Sequence, residues 1–377
     1  MTDYDIKGWC PGALRPMASG DGLVLRIRAR NGRLTPDQAQ GIAGLARQHG
    51  NGLIDLTSRA NLQLRGLDAQ GHAATIAALA EMGLLDSDAR SESRRNVILS
   101  PVAPVGGPAW QVAEGIARAM TQPDAPDTPG KFGFAVDTEM PVLGDVPSDI
   151  RLRQIGTGWL ILPDGGDWGL SAPDTDSAVH AAMALTRWFA QGGIHEGRGR
   201  MRDYLRRQPD LPAGAGPVPQ KPMVRQAPGP GPAPNGWMLG FAFGQITLAQ
   251  LAAAAKAGPL RLTPWRALLI EGAVAPPPVP GAILDASDPL LRIHACTGAP
   301  ACAQAHADVR ALARQLALRL APGQSLHLSG CAKGCAHRGR ASLTLIAQGP
   351  DRFDLIRDGD IRAPAARTGL SAAQIPL

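Results

Sequence analysis

Two copies of one local pattern constrain the fold of this chain more than any other feature. The segment GLVLRIRARNGRLTPDQAQ, with DLTSRANLQLRG after it, is matched in the second half by GWMLGFAFGQITLAQ, with RLTPWRALLIEG after it. In each copy an apolar β-type stretch leads to Gly-x-(Leu/Ile)-Thr-x-x-Gln, at Gly32 to Gln38 and at Gly244 to Gln250. A Thr with Gln three residues on is a capping box, so helices are expected to start at Thr35 and Thr247, with Gly50 and Gly258 as stops. A second strand then reaches a Thr with an Arg close behind, Thr57 and Arg59, then Thr263 and Arg266. The chain therefore carries two β-α-β units.

The downstream segments pair more weakly. PGKFGFAVDT and DIRLRQIGTGWLILPDGG line up with PGQSLHLSGC and RASLTLIAQGPDRFDLIRDGD as strand, loop and two further strands. The order is A-B-A′-B′, an α+β chain of duplicated architecture. Apolar spacing predicts helices over Gly71 to Met82, Ala109 to Thr121, Ser177 to Ala190 and Ala301 to Leu320. The expected divisions are residues 1–85, a first half-domain; 86–207, a first α/β domain without clustered cysteines; 208–235, a linker; 236–274, a second half-domain; and 282–377, a second α/β domain. The linker is too rich in Pro and Gly to be read as an element.

Composition removes several classes. With 44% hydrophobic and 19% charged residues among 377, wholesale disorder is excluded. A formal charge of +6 with only 4% aromatics argues against a base-stacking nucleic-acid platform and suits small polyanions equally well. No apolar run approaches a membrane span, since Lys256 breaks even the Ala-rich stretch around Leu251. The first residues, MTDYDIKGWC, lack the basic and apolar regions of a secretory signal. A cytoplasmic protein without nucleic-acid or membrane partners is expected.

There are five cysteines, four of them late in the chain, which points to a metal centre instead of a disulfide framework. Cys296 and Cys302 form C-x5-C, and after a 28-residue gap Cys331 and Cys335 form C-x3-C. Four thiolates from two loops can hold one cubane, one sulfur per iron corner. Gly298, Gly330 and Gly334 let the backbone come close and offer N–H groups to sulfur. Structural zinc is the main alternative, although its pairs are usually spaced by two to four residues; inert buried thiols are the other. Cys10, alone in GWCPGALRP, is read as a packed or spare thiol.

With these cysteines, the duplicated unit and the A-B-A′-B′ order, the chain resembles the sulfite and nitrite reductase superfamily over nearly its whole length. The resemblance implies two ferredoxin-like half-domains and two α/β cluster-type domains around a central cleft. It also implies a 4Fe-4S cluster on Cys296, Cys302, Cys331 and Cys335, beside a tetrapyrrole in that cleft. Carried over by motif, Arg59, Arg95 and Lys131 match basic residues lining the pocket and are the candidate catalytic groups. The reductases typically carry Lys-Phe-Lys where this chain has Lys131, Phe132 and Gly133, and the chain is shorter than those enzymes. It is more similar to the precorrin-3B synthase family of aerobic cobalamin biosynthesis, through CPGALRPM, GDGL, KFGFAVD, LTPWR and SGCAKGCAH. That resemblance implies a monooxygenase whose tetrapyrrole is the substrate, precorrin-3A, with dioxygen as co-substrate and no sirohaem. It also allows a mononuclear non-haem iron.

A uroporphyrinoid has eight carboxylates, and guanidinium forks hold carboxylates bidentately. Arg15, Arg26, Arg28, Arg65, Arg151, Arg153 and Arg266 join the three motif residues as candidates. Arg59, Asn61 and Gln63, at period two on a strand, are expected to face one cleft. No histidine pair has obvious iron-ligand spacing: His49 reads as a helix end, His195 of GGIHEGRGR as a loop residue, and His294 and His337 as flanks of the cysteine motifs. The Gly-rich strings fit turns and give no nucleotide site, so an external electron donor is expected. The rival readings are a sirohaem-dependent sulfite or nitrite reductase and a non-enzymatic iron–sulfur electron carrier.

Overall fold

The structure, a computed structural model, describes residues 11–218 and 227–377. Cys10 and residues 219–226 of the expected linker lie outside the described residues. No helix among the described residues is long and apolar enough to cross a membrane.

Both capping boxes form. Helix Pro36–His49 starts after Thr35 and helix Leu248–Ala257 after Thr247, each with reciprocal Thr–Gln bonds, and Gly50 and Gly258 occupy the C-caps. Each helix is followed by a short strand, Leu53–Leu56 or Leu260–Leu262, and then by a tight turn built the same way. Thr57 Oγ1 accepts from the N–H groups of Arg59 and Asn61, at 3.3 and 3.1 Å. Thr263 Oγ1 accepts from those of Trp265 and Ala267, at 3.3 and 3.2 Å. Both turns pass through a left-handed residue, Ala60 at φ 53° and Arg266 at φ 58°. Arg266 is therefore the structural counterpart of Ala60, and Trp265 that of Arg59. This turn also corrects one expectation: Arg59 and Asn61 lie in it, and the next strand, Leu62–Leu67, begins after them.

The two β-α-β units are interlocked. The first sheet runs Met17–Ser19, Gly22–Ile27, Leu62–Leu67, Leu53–Leu56, and is completed by Gln245–Thr247 from the second unit. The second runs Gly231–Ala233, Gly236–Gly240, Ala267–Glu271, Leu260–Leu262, and is completed by Arg33–Leu34 from the first. Each unit thus caps the other's sheet edge through an antiparallel ladder. The two helices pack together over a shared core that includes Ile27, Ile42, Ile54, Leu64, Ile246, Leu251, Leu260 and Ile270.

The α/β domains are a second duplication. In the first, Val97–Leu99, Phe134–Asp137 and Ile150–Ile155 are parallel, with Gly158–Pro163 and Trp168–Ala172 added antiparallel. In the second, Ile293–Ala295, Leu326–Ser329 and Ala341–Gly349 are parallel, with Arg352–Gly359 and Arg367–Leu370 added antiparallel.

Two further expectations are corrected. The predicted helix Ala301 to Leu320 is only Val309–Ala317, because Asp308 caps it through the Ala311 N–H and residues 299–307 fold as a loop. The Pro/Gly-rich connection contains strand pairing: Gly216–Pro217 lies against Trp168–Gly169, and Gly231–Ala233 against the strand Gly236–Gly240. Proline is tolerated in both because each is an outermost strand of its sheet, where not every N–H needs a ladder partner. Replacing Thr35 or Thr247 by Ala is expected to cost about 1 kcal/mol of stability each, measured by urea unfolding, with the fold unchanged.

Candidate functional site

The four late cysteines come from adjacent parallel strands. Cys296 directly follows Ile293–Ala295, and Cys331 lies just beyond Leu326–Ser329, so both loops leave the same carboxyl edge. Cys302 and Cys335 lie farther along the same two loops. The thiols are close enough to repel one another as thiolates: burial raises the Cys296 thiol, with Cys331 and Cys302 adding to the shift, and pushes Cys335 up to about 11, with the other three contributing. The Gly330 N–H donates to Cys296 Sγ at 3.2 Å, and Gly298 also donates to that sulfur. A Cβ on Gly330 would lie 2.7 Å from that of Ala305, and one on Gly334 2.6 Å from Ile361 Cδ1, so these turns admit no side chain without a shift.

Among the described residues, no three His, Cys, Asp or Glu side chains converge as the ligands of a single metal ion do. A cubane is bound at four separate corners, so its thiolates surround a volume instead of meeting at a point. Four thiols on two loops, three of them half-buried and Cys335 exposed, with glycine N–H groups aimed at the Cys296 sulfur, fit that donor set. His294 and His337 stack face to face with centroids 4.3 Å apart, and burial lowers His294 to about 4.

A separate cavity of about 1060 Å³ is lined by seven basic residues, Arg15, Arg28, Arg90, Lys131, Arg198, Arg200 and Arg207, against the carboxylates of Glu92 and Asp203. No cysteine lines it. Buried Glu92, on helix Ala89–Arg94, accepts from the N–H groups of Ala13 and Leu14 and lies 3.8 Å from Arg28. It thereby ties the Gly12–Arg15 loop to the cavity wall. Burial lowers Arg28 to about 10, which leaves it charged at neutral pH. Asp149, 1% exposed, accepts from the N–H groups of Gly133 and Met201 and pairs with Arg200 at 2.9 Å, fixing the opposite wall. Lys131 and Arg198 are exposed and have no carboxylate partner among the described residues.

The site residues named from the sequence are dispersed. Lys131 lines the large cavity. Arg59 donates to the Lys131 carbonyl at 2.9 Å and borders a small cleft with Asn61 and Arg95. Arg95 is buried and forked onto Asp86 at 2.8 and 2.9 Å, with a further bond to the Arg28 carbonyl, so its guanidinium is already engaged. Gln63 accepts two bonds from Arg26, and Arg266 reaches the Ala336 carbonyl beside Cys335. The sequence reading omits Arg90, Arg198, Arg200 and Arg207; for the last three the available signal is the arginine density of GRGRMRDYLRR, in a stretch whose start reads as a loop, and Arg90 lies outside it. At Gly133 an added Cβ would lie 2.9 Å from the Asn96 carbonyl oxygen, so a side chain there requires backbone movement.

Comparison with known proteins fits this geometry. Residues 15–82 match the nitrite/sulfite reductase ferredoxin-like half domain. A precorrin-3B synthase from Sinorhizobium sp is 28% identical, across 94% of this chain and 83% of that protein. The resemblance to precorrin-3B synthase runs the length of the chain. A ferredoxin–nitrite reductase from Leptolyngbya laminosa is 29% identical, but across 36% of this chain and 28% of that protein. The NirA protein of Mycobacterium tuberculosis superposes with a TM-score of 0.64 at 15% identity, covering 94% of this chain and 78% of that one. The architecture is thus the duplicated nitrite and sulfite reductase fold, and the chain is similar over nearly its whole length to a precorrin-3B synthase.

The two kinds of cation separate experimentally. Asp86→Ala leaves Arg95 charged and buried, and is expected to lower unfolding free energy by about 3 kcal/mol or more. Lys131→Ala is expected to change it by less than about 0.5 kcal/mol. Denaturant titration of both variants checks the contrast.

Proposed function

We propose that the protein is a precorrin-3B synthase-type monooxygenase acting on precorrin-3A. The observation that carries this reading is the cavity with seven cations, a complement for a large polycarboxylate, in a chain that also presents four thiols. Lys131 and Arg198, which have no carboxylate partner among the described residues, take substrate carboxylates, and Arg59 holds the Lys131 loop through its carbonyl. Arg95 acts as a positioning residue, keeping Arg28, just past the strand Gly22–Ile27, in place through Asp86 and the Arg28 carbonyl. Asn61, Gln63 and Arg266 then have supporting roles instead of direct substrate contacts.

Cys296, Cys302, Cys331 and Cys335 hold a 4Fe-4S cluster, which when bound supplies single electrons from an external donor. In the reaction one oxygen atom of dioxygen enters the macrocycle at the carbon joining rings A and D, and the ring A acetate closes a lactone. The other oxygen atom leaves as water, with two electrons and two protons taken up. The cations fix the macrocycle's edge, and the walls built on Glu92 and Asp149 limit its orientations. Against the sirohaem reductase reading stands Gly133, whose contact with the Asn96 carbonyl leaves no room for a second lysine beside Lys131.

Three outcomes are expected. Each single Cys→Ala change at the four ligand positions removes the cluster by iron and sulfide analysis, whereas Cys10→Ala retains it. Lys131→Ala and Arg198→Ala each weaken precorrin binding by about ten- to a hundredfold, the loss of one charge-assisted bond. Incubation with precorrin-3A under labelled dioxygen yields a product carrying one labelled atom. A label-free product, or full turnover without dioxygen, would contradict the monooxygenase reading.

A further inference from the structure

A second group of arginines, outside the large cavity, surrounds Asp55. Asp55 and Arg65 are buried, at 8% and 7% exposure, on neighbouring strands of the first sheet. Arg65 Nη1 lies 3.6 Å from Asp55 Oδ2, and its other nitrogens are forked onto Asp21 at 2.9 and 3.0 Å. Arg310, in the first turn of helix Val309–Ala317, reaches Asp55 Oδ1 at 3.6 Å from the cysteine domain. Gln245 arrives on the exchanged strand, directly opposite Asp55 in the ladder, and donates to Asp55 Oδ1 at 3.4 Å. Arg266, from the left-handed turn of the second unit, lies close enough for Asp55 and Arg310 to influence its charge.

The three guanidinium groups share one further property: each donates to a backbone carbonyl of a cysteine loop. Arg310 Nε donates to the Cys296 carbonyl at 3.1 Å, and Arg65 to that of Ala301, next to Cys302, at 3.4 Å. Arg266 donates to that of Ala336, next to Cys335, at 3.3 Å. These three largely enclosed arginines, with two carboxylate partners among the described residues, carry excess positive charge, and it lies against the loops that hold the thiols. An isolated structural ion pair would not aim all of its cations at these two loops.

We propose that Arg65, Arg266 and Arg310, organised around Asp55, are positioning residues that hold both cysteine loops and raise the reduction potential of the cluster bound there. The proposal rests on the assignment of the four cysteines to a 4Fe-4S cluster. Reduction adds one negative charge to a thiolate-bound cluster, and nearby guanidinium charge favours that state. Because Asp55 and Arg65 come from the first unit, Arg266 and Gln245 from the second, and Arg310 from the cysteine domain, the potential depends on how these parts are docked.

The test uses the full chain. Arg310→Met is expected to shift the cluster's reduction equilibrium about tenfold toward the oxidised form, about 59 mV lower for one electron, in a redox titration followed by electron paramagnetic resonance. Arg310→Lys, which keeps the charge, is expected to recover most of that shift. Hydrogen exchange of residues 296–303 in the cluster-free chain reads the positioning role separately and is expected to accelerate at least tenfold in Arg310→Met. Arg266→Met should lower the potential in the same direction and carries the test if Arg310→Met does not fold. An unchanged potential in the methionine variants, with unchanged exchange in Arg310→Met, overturns the proposal. A native chain that assembles no cluster overturns the cluster assignment instead, and the exchange measurement then still decides the anchoring.

Discussion

The exchange of edge strands between the two β-α-β units is the constraint on which the rest of this molecule depends. Arg33–Leu34 and Gln245–Thr247 are short, yet each supplies the last ladder of the other unit's sheet. An open sheet edge exposes unpaired N–H and C=O groups, and reciprocal capping removes that exposure from both sheets at once. It also forces the helices Pro36–His49 and Leu248–Ala257 into one shared core, where Gln40 reaches the Ala252 carbonyl at 3.1 Å. The ladder places Gln245 opposite Asp55, and so fixes the buried charge group that meets the cysteine loops.

Around this centre the two α/β domains keep one topology and use opposite ends of it. In the second, the loops at the carboxyl ends of two parallel strands carry the cysteines. In the first, the corresponding strand Val97–Leu99 is followed by Ser100, fully buried, and no thiol. Its chemistry instead lies toward the start of Phe134–Asp137, where Lys131, Gly133 and Asp149 meet the Arg198–Arg200 segment. The two copies of one scaffold thus differ: one carries the four thiols, and the other borders the cation-lined cavity.

Local signals in the chain were readable where the physics is local. A capping box involves residues three apart, so Thr35–Gln38 and Thr247–Gln250 announced two helices that the structure contains. The spacing of the cysteines likewise announced two loops. The predicted helix from Ala301 failed because apolar spacing continues through a segment whose backbone bonds go elsewhere: the Ala307 carbonyl accepts from the Ala299 N–H, and the His306 N–H donates to Gly330. The arginines were harder still. Arg95, Lys131 and Arg266 look equivalent as cations in a sequence, yet one is forked onto Asp86, one faces a cavity, and one holds a cysteine loop.

By itself, the sequence determined the duplicated α+β architecture, the helix starts at the two capping boxes and the two loops that carry the four thiols, because hydrophobic period, capping and residue spacing are short-range properties. Only the tertiary structure decided which cations are free to bind a ligand and which are spent on the protein. That choice depends on partners far away along the chain, such as Asp149 for Arg200 and Asp55 for Arg310. It also depends on burial, which makes an unpaired charge costly and so commits enclosed guanidinium groups such as those of Arg95 and Arg310 to a carboxylate and a carbonyl.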